Sequence, residues 1–103
     1  MHPKMNEFLS LIQTKTNEYF ARRYPSLTPP RYEVESGRKY HKVVTADDTQ
    51  RSVHCFVDNA GNVYKAAGWK APAKGVRYTL DQLDEIGQVF DPHGGYLYLR
   101  GIN

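Results

Sequence analysis

Apolar side chains in the first quarter of the chain recur with the spacing of a helix, and polar side chains fill the opposite side. This pattern predicts an amphipathic helix over residues 3–23, which ends at Tyr24 because a residue that precedes a proline avoids helical geometry. We expect the helix to cover one face of a sheet, with contact to a partner as the alternative. Its apolar positions are Met5, Phe8, Leu9, Ile12, Tyr19 and Phe20.

The middle of the chain changes to the period-two alternation that is typical of strands. Four strands are predicted, with tight turns at residues 36–37 and 58–62, so that the third and fourth strands form a hairpin. The second strand has no cleanly apolar face, which favours a place near a sheet edge or on a working surface. The four predicted strands are residues 32–35, 38–45, 52–57 and 63–67.

The third strand has the clearest pattern of burial. Val53, Cys55 and Val57 alternate with the residues between them and are typical of an inward face. We therefore expect His54 on the opposite face from Cys55, which argues against a Cys–His nucleophile pair.

A second helix is predicted from its caps, after a loop at residues 68–75 that has no periodicity. Thr79 is a candidate N-cap with Gln82 as its capping-box partner, and Gly87 is a candidate left-handed residue at the C-terminus. The apolar stripe of this helix is Leu80, Leu83 and Ile86.

The end of the chain alternates again and predicts a last strand over residues 96–100, after a turn at residues 91–95. Leu97 and Leu99 are expected to point inward. The predicted outward set is Tyr96, Tyr98 and Arg100.

These elements predict one α+β domain over residues 1–103. It has an N-terminal helix, a largely antiparallel sheet of about five strands, and a second helix before the last strand. The helices are expected to cover one face of the sheet and to leave the other face for solvent or a partner.

Composition places the chain among globular proteins, with 40% hydrophobic, 24% charged and 13% aromatic residues. The net charge of +3 is a mild bias that is compatible with phosphate-bearing partners. Cys55 is the only cysteine, so neither an intramolecular disulfide nor a cysteine-based zinc site is possible. No apolar run suits a membrane span or an export signal, and we expect a cytoplasmic protein that does not bind membranes.

The candidate chemistry is a local excess of cations among aromatic rings. No acidic residue lies between Asp58 and Asp81, whereas four cations and three rings do. Cations that hold phosphates and rings that stack on bases are the components of single-strand binding, so the sequence predicts a non-enzymatic nucleic-acid-binding protein, with DNA and RNA both open. The predicted binding residues are Arg38, Tyr40, Lys42, Tyr64, Lys65, Trp69, Lys70, Lys74, Arg77, Tyr78, Tyr96, Tyr98 and Arg100.

The same residue types have ordinary structural roles. Tyrosines pack well on strands, lysines and arginines cover any solvated face, and Trp69 could equally anchor the core under its loop. A surface of this kind also suits a module that binds an enzyme and inhibits or redirects it. An exposed edge strand is compatible with a homodimer.

The sequence predicts no catalytic residues, no metal site and no cofactor. Its glycines lack the spacing of a dinucleotide-binding loop, and it contains neither HExxH nor a paired CxxC. A small hydrolase built on His54, Asp91 and His93 is a third hypothesis, although the ordinary role of the last two residues is turn formation.

Two stretches of the chain, RSVHCFVD at residues 51–58 and the run at residues 61–80, resemble a group of small uncharacterised proteins encoded by bacteriophages, as do Tyr40 and Lys42 upstream. The resemblance covers the middle third of the chain and brings no activity with it. It implies a phage origin and action inside an infected bacterium. The enzyme bound by the alternative protein-binding module would then be a host or phage enzyme.

Overall fold

A five-stranded antiparallel sheet forms the centre of the structure, with strand order β1-β2-β3-β4-β5. The computed structural model describes residues 2–98 and confirms the predicted α+β class. The helices and strands are α1 (Met5–Arg23), β1 (Arg31–Ser36), β2 (Tyr40–Ala46), β3 (Arg51–Asp58), β4 (Asn62–Tyr64), β5 (Tyr78–Thr79) and α2 (Leu83–Val89).

The core lies between the helices and one face of the sheet. The apolar stripe of α1 is fully buried at Phe8 and Ile12, as the helical spacing predicts, and α2 contributes Ile86. The sheet contributes Val43 and Cys55 to the same cluster. Within residues 2–98, neither helix is both long enough and apolar enough to span a bilayer.

One extra residue in β3 changes the predicted faces of that strand. Val43 pairs with Cys55 and Val44 pairs with Val53, so His54 has no partner in β2 and forms a bulge. Its ring packs among aromatic side chains on the helix side of the sheet. The prediction that His54 lies on the opposite face from Cys55 is therefore wrong, because alternation does not hold across a bulge.

The second strand lies one strand away from the edge of the sheet, which agrees with the predicted place near an edge. β2 lies between β1 and β3, and its fully buried Val43 and Val44 point to opposite faces. Both faces of β2 are therefore covered, the second one partly by the segment at residues 65–75. An isolated bridge between Ala66 and Pro72 closes this segment into a loop.

The second helix begins as predicted and ends later. The backbone N–H of Thr79 donates to Gln82 Oε1 at 2.8 Å, as in a capping box. A 3₁₀ turn over Leu80–Gln82 precedes α2, which continues through Gly87 to Val89. Gly87 is therefore inside the helix, and its prediction as a left-handed terminal residue is wrong.

The predicted last strand is wrong in its described part. Residues Gly95–Leu97 form a 3₁₀ turn, because Gly94 adopts a left-handed conformation with φ of 79° and turns the chain inward. Leu97 is buried as predicted, but Tyr96 is also buried, at 8% exposure, instead of facing outward. Leu99 and Arg100 lie outside the described residues. The fifth strand is instead the short β5, which pairs with β4.

Gln13 connects α1 to the first strand. Its Oε1 accepts a hydrogen bond from the Tyr32 N–H at 2.9 Å, and its Nε2 donates to the Pro30 carbonyl at 2.9 Å. The helix is thereby fixed to the outer edge of β1.

Candidate nucleic-acid interface

A groove beside the β1–β2 turn collects cations from separate parts of the chain. It has a volume of about 340 Å³, and four cationic side chains line it against one carboxylate, that of Glu35. We call it the basic groove. The residues that line it are Glu35, Ser36, Gly37, Arg38, Lys39, Tyr40, Lys42, Phe56 and Lys70. Four of the predicted binding residues, Arg38, Tyr40, Lys42 and Lys70, therefore lie together.

Aromatic rings form the floor of the basic groove. The Tyr40 ring meets Phe56 edge-on at a centroid distance of 6.1 Å and Tyr64 at 5.6 Å. The Tyr64 hydroxyl donates to Asp58 Oδ2 at 2.8 Å, and this bond raises the pKa of the Tyr64 phenol to about 12. The bond fixes the ring, so Tyr64 supports Tyr40 from one side.

Trp69 extends this surface beyond the groove. Its side chain is 42% exposed, and the Lys42 ammonium lies 4.2 Å from the centroid of its ring. A cation at this distance is attracted to the electron-rich face of an indole. Since Lys42 also lines the basic groove, it joins the groove to the Trp69 ring.

A network of ion pairs borders the same surface on the β1 side. Arg51 donates to Glu33 at 3.0 Å and to Glu35 at 2.8 Å, and Lys42 lies 3.7 Å from Glu35. The hydrogen bond from Arg51 holds the pKa of the Glu35 carboxyl below its usual range. The carboxylate thus remains charged and competes with any anion for Lys42. Within residues 2–98, Arg38, Lys39 and Lys70 form no ion pair.

The remaining predicted residues form a second group, around the 3₁₀ turn at the end of the described chain. The Lys65 ammonium lies 4.6 Å from the centroid of the Tyr98 ring, and Tyr98 is 63% exposed. This pair is accessible to a ligand. Tyr78 is half-buried and contacts the ring of Tyr96 at 6.0 Å. The structure therefore divides the predicted set into two groups, while Arg100 lies outside the described residues.

The Arg77 guanidinium bonds to backbone carbonyls instead of facing the binding surface. Its Nε donates to the Leu97 carbonyl at 2.7 Å, and one terminal nitrogen donates to the carbonyls of Lys74 and Gly75 at 2.7 and 2.6 Å. Three carbonyls thus occupy most of the guanidinium. Lys74 itself is exposed in the loop.

Tyr96 is also a structural residue. Its hydroxyl lies 2.7 Å from His54 Nε2, deep in the core, and burial raises its pKa well above the usual value. The ring is not available to stack on a base.

A family model covers nearly the whole chain. It carries the description "Family of unknown function (DUF7717)" and matches residues 5–99. The chain belongs to the family of unknown function DUF7717. Neither the curated proteins nor the solved structures include a match to this DUF7717 chain.

Sequence reasoning missed one cation of the basic groove. Lys39 is not among the predicted binding residues, yet it lies in the β1–β2 turn and its ammonium is 5.6 Å from the centroid of the Tyr40 ring. The run Arg38-Lys39 next to Gly37 was the available signal, since both side chains of a tight turn can face one groove.

In this DUF7717 chain, two residues of the hydrolase hypothesis line a cavity and the third bonds to the backbone of a turn. His54 and His93 line one cavity, but Asp91 accepts hydrogen bonds from the backbone N–H groups of His93 and Gly95 at 2.9 and 3.3 Å, and of Tyr96 at 3.2 Å. Asp91 therefore holds the turn. Burial raises the pKa of the Cys55 thiol, so Cys55 stays protonated. Residues 2–98 contain no cluster of three or more His, Cys, Asp or Glu side chains that could hold a metal ion.

Proposed function

We propose that this protein binds single-stranded nucleic acid, without catalysis, through the basic groove and Trp69. The observation that supports the proposal is the arrangement of four cations around one groove with a half-exposed indole beside it. Cationic grooves that follow a phosphate backbone, with rings on which bases stack, are the general design of single-strand binding sites.

The groove residues divide into two roles. Arg38, Lys39 and Lys70 form no ion pair among the described residues and hold phosphates. The Lys42 ammonium and the Arg51 guanidinium lie 4.2 and 5.9 Å from the centroid of the Trp69 ring, and a base stacks on the part of the half-exposed indole that they leave open. Unpaired bases are required for this contact, and duplexes therefore bind more weakly.

The origin of the protein is part of the proposal. The resemblance of residues 51–58 and 61–80 to phage-encoded proteins suggests action in the cytoplasm of an infected bacterium. Single-stranded DNA and RNA are both present there.

The test is a titration of labelled single-stranded and double-stranded DNA and RNA, followed by fluorescence anisotropy at low and physiological salt. We expect log K to fall with log salt with a slope of roughly −2 to −3, for three to four neutralised phosphates on a single strand. Lys39→Gln and Lys70→Gln each reduce the slope by about 1. Trp69→Ala weakens binding by about 1–3 kcal/mol at all salt concentrations.

Arg22→Gln is the matched control, because it removes one exposed cation from the last turn of α1, away from the groove. Its salt slope should equal that of the wild type. Absence of binding at low salt, or binding that does not depend on salt, contradicts the proposal.

One observation favours the protein-binding alternative. Glu33 and Glu35 lie on the same surface as Trp69 and repel phosphates, whereas a mixed border of ion pairs around an aromatic residue is common in protein interfaces. A pull-down from nuclease-treated bacterial lysate separates the two functions. A partner that survives the nuclease and is lost with Trp69→Ala supports the alternative.

A further inference from the structure

A second cavity lies at the other end of β2 from the basic groove. It has a volume of about 390 Å³ and opens between the end of α1, the β2–β3 turn and the turn at residues 92–94. The proposed nucleic-acid function does not use it. We call it the His54 cavity.

His54 is the most deeply buried polar residue of its wall. The side chain is 8% exposed, and its ring is enclosed by Tyr32, Phe90 and Tyr96 at centroid distances of 5.2 to 5.7 Å. Within residues 2–98, the single hydrogen bond of the ring joins Nε2 to the Tyr96 hydroxyl at 2.7 Å. The Nδ1 atom has no such partner, yet no side-chain polar atom described is both fully buried and unpaired. Nδ1 therefore keeps some accessible surface, and because His54 lines the cavity, we take this atom as available to a ligand there.

The charges of the residues that line the cavity disfavour an anion. Among the described residues that line it there is no lysine or arginine, and Asp47 contributes a carboxylate. Asp47 Oδ1 accepts the backbone N–H groups of Thr49 and Gln50 at 2.8 and 2.9 Å, and these bonds keep the pKa of the carboxyl below its usual value. Burial lowers the pKa of His54 to about 4, so this ring is neutral at physiological pH. A phosphate would thus meet a carboxylate and no lysine or arginine among the lining residues. The nearby charge of Arg31 contributes to the lowered pKa of Asp47, but Arg31 does not line the cavity.

The rings of Phe20, His54 and His93 in the walls favour an aromatic ligand. Phe20 and His93 line one side, and His93 is held edge-on by Tyr19 at a centroid distance of 5.9 Å. Thr45 and Ser52 line the cavity with hydroxyl-bearing side chains. Ligand sites commonly combine apolar and aromatic walls with a few polar groups, in volumes of about 300–1,000 Å³. A volume near the lower end suits a molecule of nucleoside size.

We propose that the His54 cavity binds an uncharged, planar heteroaromatic molecule of nucleoside size, with a hydrogen bond to His54 Nδ1. In either tautomer of a neutral imidazole this atom makes one hydrogen bond, as donor or as acceptor. Asp47 accepts from a hydroxyl or an amine at the cavity mouth. The site discriminates against the phosphorylated form of the same molecule.

The experiment is an NMR titration of the full chain with adenosine, guanosine, cytidine and uridine, and with adenosine monophosphate, in which the imidazole signals of His54 and His93 are followed. We expect at least one nucleoside to shift both sets of signals, with a dissociation constant on the order of 1 mM or tighter. When adenosine is the nucleoside that binds, its monophosphate binds at least tenfold more weakly.

Ser52→Phe fills the cavity from an exposed position on β3 and should weaken nucleoside binding at least tenfold. Ser26→Phe adds the same ring to an exposed position outside the lining residues and should leave binding unchanged. Lys39→Gln/Lys70→Gln, which disables the basic groove, should also leave it unchanged. The inference is overturned when no nucleoside shifts the His54 signals, when the monophosphate binds more tightly than adenosine, or when the groove variant rather than Ser52→Phe removes binding.

Discussion

His54 makes the stability of the protein depend on pH. Its pKa is about 4 in the folded state because the ring is buried, whereas the ordinary value is 6.5. Between these values the unfolded chain binds more protons than the folded one. The free energy of unfolding is therefore highest above pH 6.5 and falls as the pH falls to 4, by roughly 3 kcal/mol from this residue. Urea denaturation at a series of pH values measures the decrease.

His54→Gln tests the assignment, because glutamine can keep a hydrogen bond to Tyr96 and does not titrate. We expect this variant to be less stable at pH 7 and to lose most of the pH dependence between 4 and 6.5. His93→Gln removes an exposed imidazole and should retain the wild-type dependence. Equal slopes in wild type and His54→Gln would show that other groups are responsible.

Arg77 stabilises the connection between the loop at residues 65–75 and the 3₁₀ turn at Gly95–Leu97. A charged donor in a hydrogen bond contributes more than a neutral one, and lysine cannot reproduce the geometry of a guanidinium that reaches three carbonyls. Arg77→Lys should lower the free energy of unfolding by roughly 1–3 kcal/mol, as measured by urea denaturation. Arg38→Lys, on the exposed turn, should change it little; a similar loss in both variants would contradict the structural role.

The sequence predicts which residue types could contact a ligand better than it predicts where their side chains point. Arg77 and Tyr96 have the composition of a binding surface, yet one bonds to backbone carbonyls and the other to a buried histidine. Each has a partner twenty or more positions away in the chain, Leu97 for Arg77 and His54 for Tyr96. Arg38 and Lys70 do line one groove, and their exposure was predictable because turn and loop cations are solvated in almost any fold.

At the scale of elements, the β3–β4 hairpin depends on the conformation of Gly61. Its φ is 87°, and a Cβ at this position would lie 2.7 Å from Cδ2 of His2. Gly61→Ala should therefore lower the free energy of unfolding by roughly 1–3 kcal/mol, as measured by thermal or urea denaturation.

Two further variants separate the backbone strain at a positive φ from the steric contact with His2. His2→Ala in the Gly61→Ala background removes the close contact and should recover only the steric part of the loss. Gly68→Ala is the matched control, since a Cβ there meets no atom within 4 Å. A loss in Gly68→Ala as large as that in Gly61→Ala would contradict the explanation.

Regular elements were predictable where local signals agree. Helical spacing identified α1, and turn residues identified the β3–β4 hairpin. The bulge at His54 was not predictable, because the alternation of apolar and polar residues along a strand does not show which residues have a partner in the neighbouring strand. The alternation at residues 96–98 was misleading, since a 3₁₀ turn after Gly94 buries Tyr96 and Leu97 together.

At the scale of the whole molecule, we expect residues 65–75 to unfold with the sheet. Backbone bonds join Ala73 to Lys65 and Arg77 to Val63 at 2.7 and 2.8 Å. Trp69 fluorescence and far-UV circular dichroism should therefore give the same midpoint in urea, as in a two-state transition. A lower midpoint for Trp69 would show that this loop opens first.

The hydrogen bonds from Gln13 to Tyr32 and Pro30 have a consequence for the behaviour of the protein at high concentration. A glutamine amide has one acceptor oxygen and two N–H donors. At the outer side of β1 its oxygen accepts from the Tyr32 N–H and its nitrogen donates to the Pro30 carbonyl, while the nitrogen also donates to Asn17 Oδ1 at 3.1 Å. The helix in this way imitates one residue of a neighbouring strand. Unpaired strand edges are where protein chains add to one another and form aggregates. The cost of losing Gln13 would thus appear first as fibres or precipitate in a crowded solution.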